Sequence, residues 1–392
     1  MFDNEDVWDK YQVKVHSDEW FRFRTIGTDY YEGGVGASEV GKFIGMNKYS
    51  PVSTEVFYHK IGLGSPDRLM NDPIYWGQKM EPLILDAWQY EDLERGYAKN
   101  EMDFKETGDM KYLIRERGEA NYYLVNKNYP WLFVSLDSVI PKGSRCINPK
   151  TKKWARNKDG SYYLLQKDCP LECKAMSFYS LKQWKGGMDP SYIAQVHSQM
   201  LVTGATYSEI VVLEDGRNLK ILPVPLDATL AERLLNATHN FWYKKVIPGR
   251  DLVYEYKDKL GQGKRMEAER VFAEIQSLEP EPTAGQAYED WIKDKIKDKG
   301  AQVKGNIQDY GLAQDYAYLT SLSNKIEALK QAKKNELLKR FRDLEVYKLE
   351  LGKERSVGLS QSGRFTLKGI GKNVSDEAIE DIVRKITPNG SK

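Results

Sequence analysis

The sequence predicts a mixed α/β fold, a central mixed sheet flanked by helices and followed by a mainly helical C-terminal extension. Three observations carry this expectation. Short β-rich runs cluster between residues 110 and 174 and return at 208–224, while apolar residues recur at helical spacing on either side of them. The 392 residues are 41% hydrophobic and 30% charged, which suits a soluble globular chain with a large domain and an appendage, or with two domains. Past Pro248-Gly249 the composition shifts to charged, glycine-containing sequence, which divides a domain at 1–250 from an extension at 251–392.

Residues 17–32 read as an amphipathic start, with Trp20, Phe21 and Phe23 among acids and the arginines Arg22 and Arg24. The glycines between Gly33 and Gly45 predict a tight turn feeding a short helix, with Ser38 as its N-cap. A helix N-terminus of this kind can receive a phosphate through free backbone N–H groups. No Gly-Lys-Ser/Thr follows at the P-loop offset, so ATP use is not supported. Helices are expected at 52–61 and 74–91, the second on the spacing of Ile74, Met80, Leu83, Ile84, Ala87 and Trp88. The runs Tyr112-Leu113-Ile114, Tyr122–Val125 and Trp131–Asp137 then read as a meander, with 162–166 and 171–174 completing the sheet.

Helices follow at 179–185 and 192–203, and the second places Gln195 and Gln199 on one face. Strands at 208–213 and 219–224 bracket a turn at Glu214–Arg217, and a helix at 228–245 closes the unit. Beyond a break at Glu279–Thr283, helices are expected at 284–299 and 316–347, a small hairpin around Val357–Leu367, and one short helix after Lys372. Leu319, Leu322, Ile326 and Leu329 suit either a surface helix packed on one side or a subunit or partner contact.

The candidate chemistry lies between Pro130 and Lys174. Side chains alternate along a strand, so Glu172 and Lys174 point the same way. If the strand ending on Asp137 pairs beside them, two carboxylates and an ammonium converge. Such a set suits a hard divalent cation acting on a phosphodiester, although an edge-strand ion pair would use the same residues. Glu81, on the 74–91 helix, is either a solvated acid or a further ligand. From Pro141 to Lys158 the chain carries Lys142, Arg145, Lys150, Lys152, Lys153, Arg156 and Lys158 with no acid, a solvated loop or a hold on a phosphate backbone.

Three cysteines, Cys146, Cys169 and Cys173, form no CxxC, and four scattered histidines give no zinc pattern. No apolar run reaches the ~18 residues of a membrane span. With an acidic N-terminus unlike a signal peptide, these features predict an intracellular protein. Net charge is only +2, so the chain as a whole does not advertise nucleic acid.

Several ordered pieces together resemble the YqaJ-like viral recombinase family, a branch of the PD-(D/E)XK nucleases related to phage lambda exonuclease. They are Gly34–Gly45 followed by Ser50-Pro51, Gly77–Pro82, Trp131–Asp137, Glu172-Cys173-Lys174 and Tyr192–Gly204, covering about residues 20–245. The resemblance implies a restriction-endonuclease-like core and a magnesium- or manganese-dependent exonuclease on double-stranded DNA ends, used in recombination in the cytoplasm of a bacterial or phage-infected cell. It implies Asp137 and Glu172 as principal metal ligands, the Cys173 carbonyl and Glu81 as further ones, Lys174 assisting the attacking water and Gln195 beside the site. Ser38 and Arg24 would meet DNA phosphate; the basic run of the insertion, apart from the resemblance, offers Lys150, Lys152, Lys153 and Arg156 as further DNA contacts. A single-strand annealing protein and a homo-oligomer are the partners it implies. Two departures stand out: a basic insertion at 141–168 lengthens the gap between the acids, and Leu136 precedes Asp137 where the motif's name has proline. A structure-selective or site-specific endonuclease and a catalytically silent recombination scaffold are the rival readings.

Overall fold

The computed structural model describes residues 7–14, 17–46, 52–64, 72–120, 122–183, 188–281, 307–351, 355–359 and 365–368. Two units divide the chain, Met1–Asp298 and Lys299–Lys392. The helices expected at 284–299 and after Lys372, and Ser50-Pro51 of the N-terminal signature, lie outside the described residues.

The sheet of the first unit is mixed, as expected, and it is divided in two. One sheet has the order β1-β3-β4-β2, from Trp8–Tyr11 (β1), Tyr123–Asn126 (β3), Leu132–Ser135 (β4) and Val35–Gly36 (β2). The other has the order β5-β6-β7-β8, from Ser138–Ile140 (β5), Cys169–Met176 (β6), Tyr207–Glu214 (β7) and Asn218–Pro225 (β8). Each contains one parallel pair, β2 with β4 and β6 with β7, among antiparallel ones. The chain crosses from one sheet to the other through Leu136-Asp137, between β4 and β5.

Helices cover these sheets: α1 (Asp18–Arg24), α2 (Ser53–Ile61), α3 (Asp72–Tyr90), α4 (Tyr97–Thr107), α5 (Phe178–Gln183), α6 (Pro190–Thr203) and α7 (Ala228–Phe241). Asp189 caps α6 by accepting from Ser191 N, Pro190 occupies the first turn, and Gly204 at φ 68 ends the helix in the left-handed region that favours glycine. α6 is buried on nearly every side because it serves two cores. Ala194 and Val202 join the core of Val35, Leu132, Val134 and Trp242, while Val196 and Met200 join that of Trp88, Leu171 and Ile210–Val212. Each fully buried aliphatic side chain contributes about 1.5–3 kcal/mol.

Several local expectations are corrected. Tyr112-Leu113-Ile114 is no strand: Asp109 caps a 3-10 turn at Met110–Tyr112, and Ile114 N and Arg115 N both donate to Gln89 O at the end of α3. Residues 162–166 make only isolated bridges, Arg156 with Tyr162 and Arg145 with Leu164, inside the insertion. Ser38 is not the cap of its helix. The 3-10 segment Ala37–Ile44 is capped at Gly36, whose N–H is taken by the Glu39 carboxylate at 2.8 Å. The 228–245 helix continues instead through a π turn at Trp242–Val246 into α8 (Ile247–Gly261). With α9 (Arg265–Ser277), α8 adds Val253, Val271 and Ile275 to the first unit's core, so its packing runs past residue 250.

The second unit holds α10 (Ile307–Asp343), whose described side chains are exposed apart from a few such as Leu322 and Phe341. Strands β9 (Lys348–Glu350), β10 (Ser356–Leu359) and β11 (Phe365–Lys368) form a three-stranded antiparallel sheet where a hairpin was expected. No helix among the described residues is long and apolar enough to cross a membrane.

Candidate active site

Asp137 sits at the seam between the two sheets, one residue before β5. Because β5 runs antiparallel to β6 with Ser138 opposite Leu171, Asp137 arrives beside Glu172-Cys173. Its Oδ2 accepts from Cys173 N at 2.7 Å. Glu172 is only 1% exposed, and both of its carboxylate oxygens accept hydrogen bonds, Oε2 only one. Oε1 accepts from Lys174 Nζ and, at 2.6 Å, from Gln195 Nε2, while Oε2 accepts from Gln199 Nε2 at 2.6 Å. Lys174 thus shares a face with Glu172, its Nζ lying 5.1 Å from the centre of the Tyr192 ring. Cys173 faces the other way, toward α3, where its Sγ donates to Glu81 O at 3.8 Å.

Electrostatics tie the set together. Desolvation, then repulsion from Glu172, hold the Asp137 carboxyl well above its ordinary range; Lys174 pulls back and Glu81 adds to the push. Burial and the Glu172 charge likewise raise Glu81. Desolvation alone would lower the Lys174 ammonium, but Glu172 and Asp137 outweigh it and hold the proton on. Burial keeps Cys173 a thiol. Among the described residues, no group of three or more His, Cys, Asp or Glu side chains is gathered closely enough to hold a metal ion. Glu81, on α3, lies near enough to Asp137 and Glu172 for their charges to act on one another.

The remaining sequence candidates lie elsewhere. Arg24 ends α1 with its guanidinium 5.1 Å from the Trp20 ring and 5.4 Å from that of Phe133 on β4. Ser38 is exposed on the Ala37–Ile44 segment, which packs on α6 so closely that a side chain at Gly41 would lie 3.4 Å from Ala194 Cβ. Lys150, Lys152, Lys153 and Arg156 are exposed on the insertion, which leaves β5 and rejoins β6 at the ends away from Asp137 and Glu172. Among the described residues, no hydrogen bond links these four side chains to Asp137 or Glu172.

Sequence reasoning placed Gln199 on the face of Gln195 but missed that it holds Glu172, and missed Tyr192 under Lys174. The three-and-four spacing of 192, 195 and 199 was the available signal. It also missed the pair formed by Lys60 and Glu39, 2.8 Å apart, with Lys60 1% exposed. Lys60 Nζ also donates to Arg24 O. Arg250 on α8 reinforces the same corner by donating to Lys60 O, Glu32 O and Thr25 O.

Residues 19–206 match the YqaJ-like viral recombinase domain. This bears out the resemblance carried by the N-terminal glycine signature and the Glu172-Cys173-Lys174 strand, and the YqaJ-like stretch contains Arg24, Ser38, Glu81, Asp137, Glu172, Lys174 and Gln195. A curated relative, the uncharacterized protein YqaJ of Bacillus subtilis (strain 168), is 23% identical over 239 residues, 60% of this chain and 58% of that protein's length. Among solved structures, an alkaline exonuclease (LHK-Exo) from Laribacter hongkongensis covers 62% of this chain and 100% of its own, with 16% identity and a TM-score of 0.36. The LHK-Exo complex with dAMP gives the same coverage and identity, with a TM-score of 0.37.

Proposed function

We propose that this chain is a divalent-cation-dependent deoxyribonuclease, an exonuclease that hydrolyses phosphodiesters at double-stranded DNA ends in recombination. The observation that carries the proposal is the meeting of Asp137, Glu172 and Lys174 at the seam of the two sheets. The donors suit a hard cation: carboxylate oxygens outnumber the ammonium, and the Asp137 and Glu81 carboxyls are raised first by burial and then by the Glu172 charge, both of which a bound cation would offset. Asp137 and Glu172 would hold magnesium or manganese, with the Cys173 carbonyl and Glu81 as further ligands. Such an ion supplies Lewis-acid polarisation of a phosphoryl oxygen.

The chain's own residues supply the rest. Gln195 and Gln199 fix the Glu172 carboxylate in one orientation. Lys174, kept protonated, orients the attacking water and offsets charge developing on the phosphate. Arg24 and Ser38, on elements bordering β4 and α6, receive the DNA phosphate. The viral-recombinase description of the matching domain supports DNA as substrate; a single-strand annealing partner and a homo-oligomeric working form belong to the same proposal.

The test is digestion of end-labelled linear duplex beside a closed circle in magnesium, manganese or EDTA. Digestion of the linear DNA, sparing of the circle and arrest by EDTA are expected. Cutting of the circle would make the enzyme an endonuclease, and binding without any cleavage would leave a scaffold. Near-normal cleavage by Glu172→Ala would remove the site assignment.

A further inference from the structure

We propose that the insertion at 141–168 is a second nucleic-acid contact, a folded basic lobe that holds the phosphate backbone of the duplex body away from the acids. The proposal rests on the nuclease reading only for the identity of the polyanion. Its first support is order. Bridges pair Arg145 with Leu164, Ile147 with Trp154 and Arg156 with Tyr162, so the insertion folds back on itself.

The lobe is also docked. Trp154 Nε1 donates to Asp92 O at 2.6 Å, and Ile147 N donates to the Tyr207 hydroxyl at 3.0 Å. That hydroxyl in turn donates to Glu209, which is paired with Arg115, both of them fully buried. The Arg115 guanidinium lies 3.9 Å from the Trp88 ring and 5.0 Å from that of Trp154, so the core grips the lobe through stacked rings and one ion pair. A rigid display of charge loses less entropy on binding than a disordered loop.

Its second support is unspent charge. Elsewhere in this unit many exposed lysines have acidic partners, as Lys105 has Glu101, Lys111 has Asp109 and Lys220 has Glu214. Among the described residues, Lys150, Lys152, Lys153, Arg156 and Lys158 make no ion pair, although all five are exposed. The nearby acids are committed within the lobe: Asp159 accepts from Ser161 N and Oγ, and Asp168 from Lys142 N. The Arg145 and Arg156 guanidinium carbons lie 4.1 and 4.3 Å from the centre of the Tyr162 ring, which orients two flat cations beforehand. Like charges in such excess over the lobe's two acids suit a polyanion such as a DNA backbone.

Position decides what the contact does. The β5–β6 pairing runs from Ser138 opposite Leu171 to Ile140 opposite Cys169, and the lobe leaves at the Ile140 end. At ~3.4 Å per residue, its root lies ~10 Å from Asp137 along the strand, a distance of about three base pairs. The lobe therefore governs how duplex is held and leaves the bond-breaking step alone.

The test compares the full chain with Lys150→Gln/Lys153→Gln/Arg156→Gln. Lys152 is left in place because its φ of 59 makes any replacement there ambiguous. Binding of a fluorescent 20-base-pair duplex is titrated against salt without divalent cation, and turnover of bis-p-nitrophenyl phosphate is measured with magnesium. The slope of log affinity against log salt should shrink by about 0.9 for each lost phosphate contact, hence by two to three in all. Arginine at 150 and 153 should preserve the slope, and turnover of the small diester should not change. An unchanged slope and affinity would overturn the lobe's role while leaving the nuclease reading intact. Absence of cleavage by the parent would remove the nuclease reading, and the binding slope would still decide the lobe.

Discussion

Lys60→Met isolates what holds the corner of Arg24 and Gly36. The lysine is 1% exposed, with its ammonium 2.8 Å from a Glu39 oxygen, and Glu39 is 15% exposed. Methionine keeps the apolar stem and deletes the charge. Glu39 then retains the Gly36 N–H and the more distant Arg24 charge, an almost uncompensated carboxylate in a dry setting. Breaking one partner of such a pair costs about 3–5 kcal/mol. The sign with pH is diagnostic. In the parent, burial pushes the Glu39 carboxyl up, but Lys60 and Arg24 more than reverse this and set it below its usual 4.5. Its contribution is therefore present above the unfolded value and fades as pH falls through the folded one. Without Lys60, burial dominates and the carboxyl rises above 4.5, so the variant loses stability as pH increases toward neutrality. Urea melts followed by tryptophan fluorescence at pH 4.5 and 7 should show the deficit growing with pH, and Lys60→Met/Glu39→Gln should recover part of it. A deficit under ~0.5 kcal/mol at pH 7, or one independent of pH, would refute the pairing argument.

Three further outcomes are expected. Asp137→Asn keeps an acceptor for Cys173 N while removing a charge its neighbours oppose, so thermal melts in EDTA should show it at least as stable as the parent. Its cleavage should fall by more than about a hundredfold, and a less stable variant would contradict the repulsion described for the site. The Asp137 and Glu81 carboxyls must lose raised protons before they take a cation, so cleavage at limiting magnesium should decline as pH drops through a range above the ordinary 3.8 and 4.5. Raising magnesium should move that limb to lower pH; a limb that ignores magnesium would count against these acids as ligands. Arg115→Leu strands the fully buried Glu209 and should cost about 3–5 kcal/mol in urea melts, a cost that an effect below 1 kcal/mol would disprove.

Much of the site was legible because it follows local rules. Alternation along β6 put Glu172 and Lys174 on one face, and the helical spacing of α6 put Gln195 and Gln199 on another. The strand expected to end on Asp137 stops at Ser135 and lies in the other sheet; the following strand, β5, pairs antiparallel with β6 and brings the acid to Cys173 N. What escaped is what local pattern does not encode. Nothing at Lys60 distinguishes it from an exposed helix lysine until Glu39, Gly36 and the Arg24 carbonyl are seen around it. The split of the sheet at Leu136-Asp137 leaves no mark, because both halves are equally apolar. Tyr112–Ile114 has the composition of a strand, yet hydrogen bonds to Gln89 and a cap from Asp109 claim its backbone first. The α4 helix was passed over because its polar sequence offers little apolar periodicity.

α6 is a party wall. Ala194 and Val202 press on one room of the protein, Val196 and Met200 on the other, and Gln195 and Gln199 hold Glu172 from the masonry between. A helix so shared cannot slide to relieve strain on one side without crowding the other. Ordinary substitutions far from the acids, such as one lost methyl under Val202 or Met200, should therefore register as a change in how firmly that carboxylate is aimed, and selection on the two interiors becomes selection on the chemistry.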